Sequence, residues 1–254
     1  MLESYIRERR QQKDILLMTH IVLGYPDFDQ SLKIVEEMVE AGVDLMELQI
    51  PFSEPMADGP VILKANADAL DHGAQVEKSF AFAEEVVKRF DIPFIFMTYY
   101  NILFKYGVEA FVERMASIGV QGAIIPDLPP EEGEEYLAAM AAHGISPIHI
   151  FTPNSSEERL RMLGEKSRGF VYSVARKGVT GKETTFGEEL NEYLGRCREA
   201  TDLPVALGFG VASNDDVRFI RGKADIAVVG SETIRVIDRD GVESVKPFIE
   251  ELVS

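Results

Sequence analysis

Cysteine is nearly absent. The single Cys197 excludes an intramolecular disulfide, and nothing in the chain points to an oxidising compartment. Bases are scarce relative to acids. With 26 Lys and Arg against 43 Asp and Glu, the formal net charge is −17, which disfavours nucleic acid and anionic membranes as partners. No apolar run approaches the ~18 residues of a membrane span. The opening MLESYIRERRQQKD is charged, resembles a helix start and lacks the apolar stretch of a signal peptide. Histidine is limited to four residues, His20, His72, His143 and His149. What is plentiful is hydrophobic material, 46% of 254 residues, enough for a sizeable core. These features together read as a soluble, cytoplasmic protein.

Short apolar runs alternate with charged amphipathic segments. The runs are Ile15–Leu23, Val43–Ile50, Pro93–Thr98, Gly122–Pro126, Ser146–Phe151, Gly169–Val174, Pro204–Leu207 and Ala224–Val229. They predict about eight strands, each nearly all apolar, as parallel strands covered on both faces require. Between them, apolar residues recur at helical spacing over Asp29–Val39, Val76–Arg89, Val108–Ser117, Glu131–Ala142, Ser156–Lys166, Glu188–Ala200 and Asn214–Arg221. Asp27 or Asp29, Ser156 and Ser213 read as N-caps, and Pro130 as an early helix position. Gly42, Gly119 and Gly144 read as C-caps. Unbroken βα alternation predicts one α/β domain over residues 1–254, a (β/α)8 barrel with extra short helices. In that architecture the chemistry belongs to the C-terminal strand ends and the loops after them.

That rule selects Glu47. Along the second strand Leu45, Glu47 and Gln49 share one face, and Met46, Leu48 and Ile50 the other. The all-apolar face belongs against helices, so Glu47 points into the barrel. A buried acid is costly unless paired or used, and no Lys or Arg lies in any predicted strand to pair with it. Asp58, in the turn Asp58-Gly59-Pro60, has two readings: partner to Glu47 in an acid/base pair, or simple cap of a helix beginning near Pro60. Gly208-Phe209-Gly210-Val211 follows the seventh strand and Gly230-Ser231 the eighth, both before helices, which predicts a phosphate site. Ala175–Gly187, ARKGVTGKETTFG, is a polar, Gly-punctuated loop, either a lid or a plain surface loop.

Two electrophiles are missing. A Schiff-base mechanism needs a strand lysine, and Lys177 sits in a loop. A metal needs clustered ligands, and the histidines are scattered. His72 and His143 read as solvated residues at helix ends, His20 and His149 as residues of strands one and five. A barrel of this kind that makes or breaks carbon–carbon bonds needs a substrate carrying its own electron sink.

ELQIPFSEPMADGP, MTYYN at 97–101, PDLPPEE at 126–132, GFVYSVARKGVTG at 169–181, GFGV at 208–211 and VVGS at 228–231 resemble, in order and spacing, the tryptophan synthase α subunit family over nearly the whole chain. The resemblance implies an indole-3-glycerol-phosphate lyase that releases indole and glyceraldehyde 3-phosphate by retro-aldol chemistry. Protonated indole is the electron sink, so the chain needs no cofactor. It implies Glu47 as general acid/base, Asp58 as partner of the indole N–H, and Tyr172 beside the acid. It implies phosphate contacts at Gly181, Gly210, Gly230 and Ser231, a lid threonine at Thr180, and Phe209 and His20 at the substrate. It also implies an α2β2 complex with a pyridoxal-phosphate-dependent β subunit, met by Pro51, Glu54, Pro55 and the segment near Tyr99–Phe104. The sequence departs from the family pattern at His20 (usually Phe or Tyr), Gln49 (often Gly), Glu54 (usually Asp), after Asn101 and at Phe151–Asn154. Those departures sustain an alternative: a catalytically weak barrel that binds and activates a β subunit. Another phosphosugar enzyme is a further possibility, but it leaves ADGP and PDLPPEE unexplained.

Overall fold

A computed structural model describes residues 1–174, 187–208 and 210–253. Its nine strands are all parallel: β1 (Leu16–Val22), β2 (Leu45–Gln49), β3 (Phe94–Met97), β4 (Gly122–Ile124), β5 (Ser146–Ile148), β6 (Ile150–Phe151), β7 (Val171–Val174), β8 (Val205–Gly208) and β9 (Ile226–Val229). The order is β5-β4-β3-β2-β1-β9-β8-β7-β6. Its two end strands are consecutive pieces of one apolar run, so the sheet comes round on itself as a (β/α)8 barrel. The run predicted as strand five is split at His149, whose N–H donates to Ser167 Oγ (3.3 Å). Pro147, two residues earlier, has no N–H to give the ladder.

The period-two alternation sorts the strand side chains into two cores. Inside the barrel lie Leu16, Met18, Leu45, Ile95, Met97, Ile124, Ile148, Ala206, Ile226 and Val228. Their neighbours in sequence, including Leu17, Met46, Leu48, Phe94 and Phe96, pack outward against the helices. Helix Leu2–Arg10 closes the N-terminal end with Leu2 and Ile6, both buried in the inner core. Asp44 holds this plug. Its carboxylate, 1% exposed, accepts from Arg9 Nη2 (2.9 Å), Lys13 Nζ (2.8 Å) and the Leu17 N–H (3.0 Å). The barrel is therefore shut at one end and open at the other.

Asp27, Ser156 and Ser213 cap their helices through side-chain oxygens, Ser213 within a capping box, while Asp29 lies inside its helix. Gly119 and Gly144 end helices at left-handed φ, and Gly42 takes φ +87 one residue past the cap Ala41. The helix predicted from Glu131 starts at Glu134 behind Gly133, so Pro130 is not an early helix position. Residues 129–133 instead form turns, with Glu132 N–H bonded to Pro129 O and Gly133 N–H to Pro130 O. Helix Tyr100–Tyr106 was not foreseen. The stretch after Gly230 is two α-helices, Ser231–Asp240 and Val245–Val253, with a 3-10 turn between them. Among the described residues no helix is long and apolar enough to cross a membrane.

Asp44→Ala leaves the Leu17 N–H and two cations without their acceptor. The expected cost is about 2–4 kcal/mol, read as a lower urea midpoint at unchanged slope.

Candidate active site

The open, C-terminal mouth holds a cavity of about 610 Å3 lined by residues that include His20, Glu47, Asp58, Tyr172, Gly210, Gly230 and Ser231. Strand alternation delivers the first of these. His20 and Glu47 are direct neighbours in the parallel pairing of β1 with β2, and both continue the inward-facing rows of their strands.

Glu47 is 4% exposed and makes no hydrogen bond among the described residues, with Oε2 buried and unpartnered. Burial in apolar surroundings, helped by the negative charge of Asp58, pushes its carboxyl up to about 8. At neutral pH it is a protonated acid aimed into the cavity.

Asp58 is not a helix cap. Gly59 occupies the N-cap position of helix Pro60–Asp71, without a side-chain bond. The Asp58 carboxylate instead accepts from Gln49 Nε2 (2.7 Å) and Tyr99 OH (3.0 Å), both on Oδ2. Oδ1 has no partner among the described residues. Tyr99 in turn accepts from the Ala57 N–H (3.1 Å) and stacks on Phe52 at 5.2 Å. The loop after β2 is thus tied to the end of β3.

Tyr172 stands on β7 with its ring over Gly208 of β8. A Cβ at Gly208 would lie 2.3 Å from the Tyr172 hydroxyl oxygen, so only glycine lets the phenol occupy this place. Burial, then the charges of Glu47 and Asp58, raise the Tyr172 pKa well above its usual value, and it stays a phenol.

At the opposite wall, Gly210 takes φ +87, and Gly230 precedes helix Ser231–Asp240 with no side chain capping the first turn. The helix N-terminus is open to an anion. Arg235, one turn further on, also lines the cavity and ion-pairs with Glu232 at 2.8 Å. Thr180 and Gly181, with the loop 175–186 and Lys177, lie outside the described residues, as does Phe209.

His149 falls between β5 and β6 rather than within a strand; its Nδ1 lies 3.0 Å from Ser167 Oγ, and burial lowers its pKa to about 4. His72 is exposed, and His143 is half-buried against Glu109 at 3.0 Å. Of the three residues assigned to a partner interface, Glu54 is exposed while Pro51 and Pro55 are buried. Exposed large apolar side chains include Met56 (83%), next to Pro55, and Phe104 (70%), at the end of the Tyr99–Phe104 segment.

Sequence reasoning placed Gln49 on the inward face and Gly208 in the glycine motif after the seventh strand, but gave neither the contact it makes with Asp58 or Tyr172. It missed Tyr99 and Arg235 as members of the site. For Tyr99 the signal was present, two residues beyond the inward Met97; Arg235, inside helix Ser231–Asp240, carried none.

A parallel barrel whose open mouth presents two acids, one protonated and one hydrogen-bonded, is the framework of an acid–base enzyme. The family model described as tryptophan synthase alpha chain matches residues 6–252. A protein of that name from Desulforapulum autotrophicum is 68% identical over 252 residues, covering 99% of this chain and 100% of the relative. Among solved structures, a tryptophan synthase from M. tuberculosis in its aminoacrylate-bound form superposes with TM-score 0.90 at 32% identity, covering 99% of this chain and 97% of that one. One of the tryptophan synthase a2b2 complex from Pyrococcus furiosus gives TM-score 0.88 at 31% identity, covering 93% and 97%. The chain belongs to the tryptophan synthase alpha chain family, whose members are carbon–carbon lyases acting on indole-3-glycerol phosphate in tryptophan biosynthesis.

Gly208→Ala forces the Tyr172 ring away from the acids. The expected result is a fall in kcat of about 10-fold or more with a stability loss of about 1–3 kcal/mol, read from steady-state indole release and thermal unfolding.

Proposed function

We propose that Glu47 and Asp58 carry out the retro-aldol cleavage between indole C3 and the glycerol chain. Glu47, held as an acid, gives its proton to C3. The ring becomes an indolenine cation, and its N–H faces Asp58 Oδ1, whose charge stabilises it. The Glu47 carboxylate then takes the proton of the glycerol hydroxyl next to C3. The carbon–carbon bond breaks with its electrons returning to the ring, and indole and glyceraldehyde 3-phosphate leave. Glu47 ends protonated, as it began. Tyr172 packs beside the acid and keeps water from it. Gly210, Gly230 and Ser231, with Gly181, hold the phosphate, and Thr180, Phe209 and His20 complete the substrate's surroundings. The observation that carries this reading is a buried Glu47 carboxyl whose Oε2 has no partner among the described residues, beside an Asp58 whose described hydrogen bonds all fall on Oδ2.

The chain itself needs no cofactor for these steps. We propose further that it acts in the cytoplasm within an α2β2 assembly, delivering indole to a pyridoxal-phosphate-dependent β subunit. The partner would meet the loop carrying Pro51, Glu54 and Pro55 and the exposed side chains of Met56 and Phe104. The intact acid pair favours catalysis over the alternative of a weak barrel that only activates a β subunit.

Indole release from indole-3-glycerol phosphate, measured with and without a β subunit, separates these readings. The parent turns over; Glu47→Gln loses about 10²–10⁴ in kcat while remaining folded. The rate falls as pH rises through about 8, where the acid form of Glu47 is lost. Near-parental activity in Glu47→Gln overturns the assignment, and a parent inactive even with a β subunit supports the alternative.

A further inference from the structure

His20 and Gln49, the two departures from the family pattern inside the barrel, contact each other. His20 Nε2 lies 2.7 Å from Gln49 Oε1, and Gln49 Nε2 donates to Asp58 Oδ2 at 2.7 Å. Both side chains are buried, His20 at 4% and Gln49 at 0% exposed. Elementary chemistry sets the direction of this chain of bonds. An ionised carboxylate only accepts, so the Gln49 amide must turn its NH2 to Asp58 and its carbonyl to His20. The carbonyl in turn requires a proton on His20 Nε2. The imidazole therefore carries its hydrogen on Nε2 and leaves Nδ1 bare. Nδ1 is buried without a partner among the described residues, which suits a neutral ring; a second N–H there would be buried unpaired. Burial also lowers the His20 pKa.

Asp58 needs such support because it sits in the loop between β2 and helix Pro60–Asp71 rather than on a strand. Gln49 and Tyr99 both donate to Oδ2, one from β2 itself and one from just beyond β3. Two donors converging on one oxygen fix the carboxylate rotamer and direct Oδ1 elsewhere. We propose that His20 and Gln49 are positioning residues: the His20 imidazole locks the Gln49 amide, and the amide locks the Asp58 carboxylate with Oδ1 turned to the substrate's indole nitrogen. This rests on the role given to Asp58 above. It gives His20, which lines the cavity, a second role exerted through Gln49.

The test is a set of coupled variants assayed for indole release: Gln49→Met, which keeps the volume, His20→Phe, their combination, Asp58→Asn, and Asp58→Asn with Gln49→Met. Gln49→Met is expected to lower kcat about 10–100-fold with KM little changed. His20→Phe lowers it less, and the combination is no worse than Gln49→Met alone, because without the amide His20 orients nothing. In the Asp58→Asn background Gln49→Met has no further effect. Additive losses, or a Gln49→Met enzyme with parental kcat, overturn the inference. Parental turnover in Asp58→Asn overturns the role of Asp58 itself, so the two failures are distinguishable. Nitrogen NMR of 15N-histidine protein reads the same claim without any variant. A His20 ring protonated on Nε2 and bare on Nδ1 supports it, and the opposite tautomer contradicts it.

Discussion

A carboxyl group in an apolar strand end, with no cation to pair with, stays protonated until the solution is well above the ordinary carboxylate range. Among the described residues Glu47 is in that condition. No Lys or Arg occurs in the described strands, Leu45 and Met18 lie in the row beneath it and Ile95 pairs directly with it, and the charge that faces it, Asp58, is of its own sign. Everything else at the mouth serves this arrangement. Gly208 makes room for the Tyr172 ring, the Asp44 cluster closes the far end, and the bonds to Asp58 hold the second acid beside the first. The arrangement has a thermodynamic cost. Between an unfolded carboxyl's pKa of about 4.3 and the folded value of about 8, the folded chain holds a proton that the unfolded chain does not. The stability that Glu47 contributes is complete below the lower value and is lost as pH rises through the upper one.

The division of labour between the two acids follows from their surroundings rather than their chemistry. Glu47 receives no hydrogen bond among the described residues and titrates late. Asp58, the same functional group one loop away, is bonded twice on one oxygen. One is thereby equipped to give a proton, the other to face developing positive charge.

Much of this was legible in the chain. Alternation along LMELQ put Glu47 inside the barrel, and each strand falls within or at the edge of a predicted run. What escaped has identifiable causes. The break at His149 depends on Ser167, a contact eighteen residues away in sequence. Helix Tyr100–Tyr106 is short and starts two residues past the end of the run Pro93–Thr98. The helix expected from Glu131 starts late because the backbone of 129–133 spends its hydrogen bonds in turns. Asp58 was undecided between cap and acid because turn chemistry is the same for both; only the neighbours Gln49 and Tyr99 distinguish them. Gln49 was visible as a departure, yet its bond to His20 joins two strands and no local pattern announces it.

Burial and the charge of Asp58 keep Glu47 protonated. Carbon NMR of protein labelled at the glutamate side-chain carboxyl measures this directly, with Glu47→Gln assigning the signal. The expected result is a Glu47 carboxyl that titrates at about 8, and at lower pH once Asp58→Asn removes the neighbouring charge. A Glu47 signal that titrates with the exposed glutamates, near a pKa of about 4.3, would contradict it.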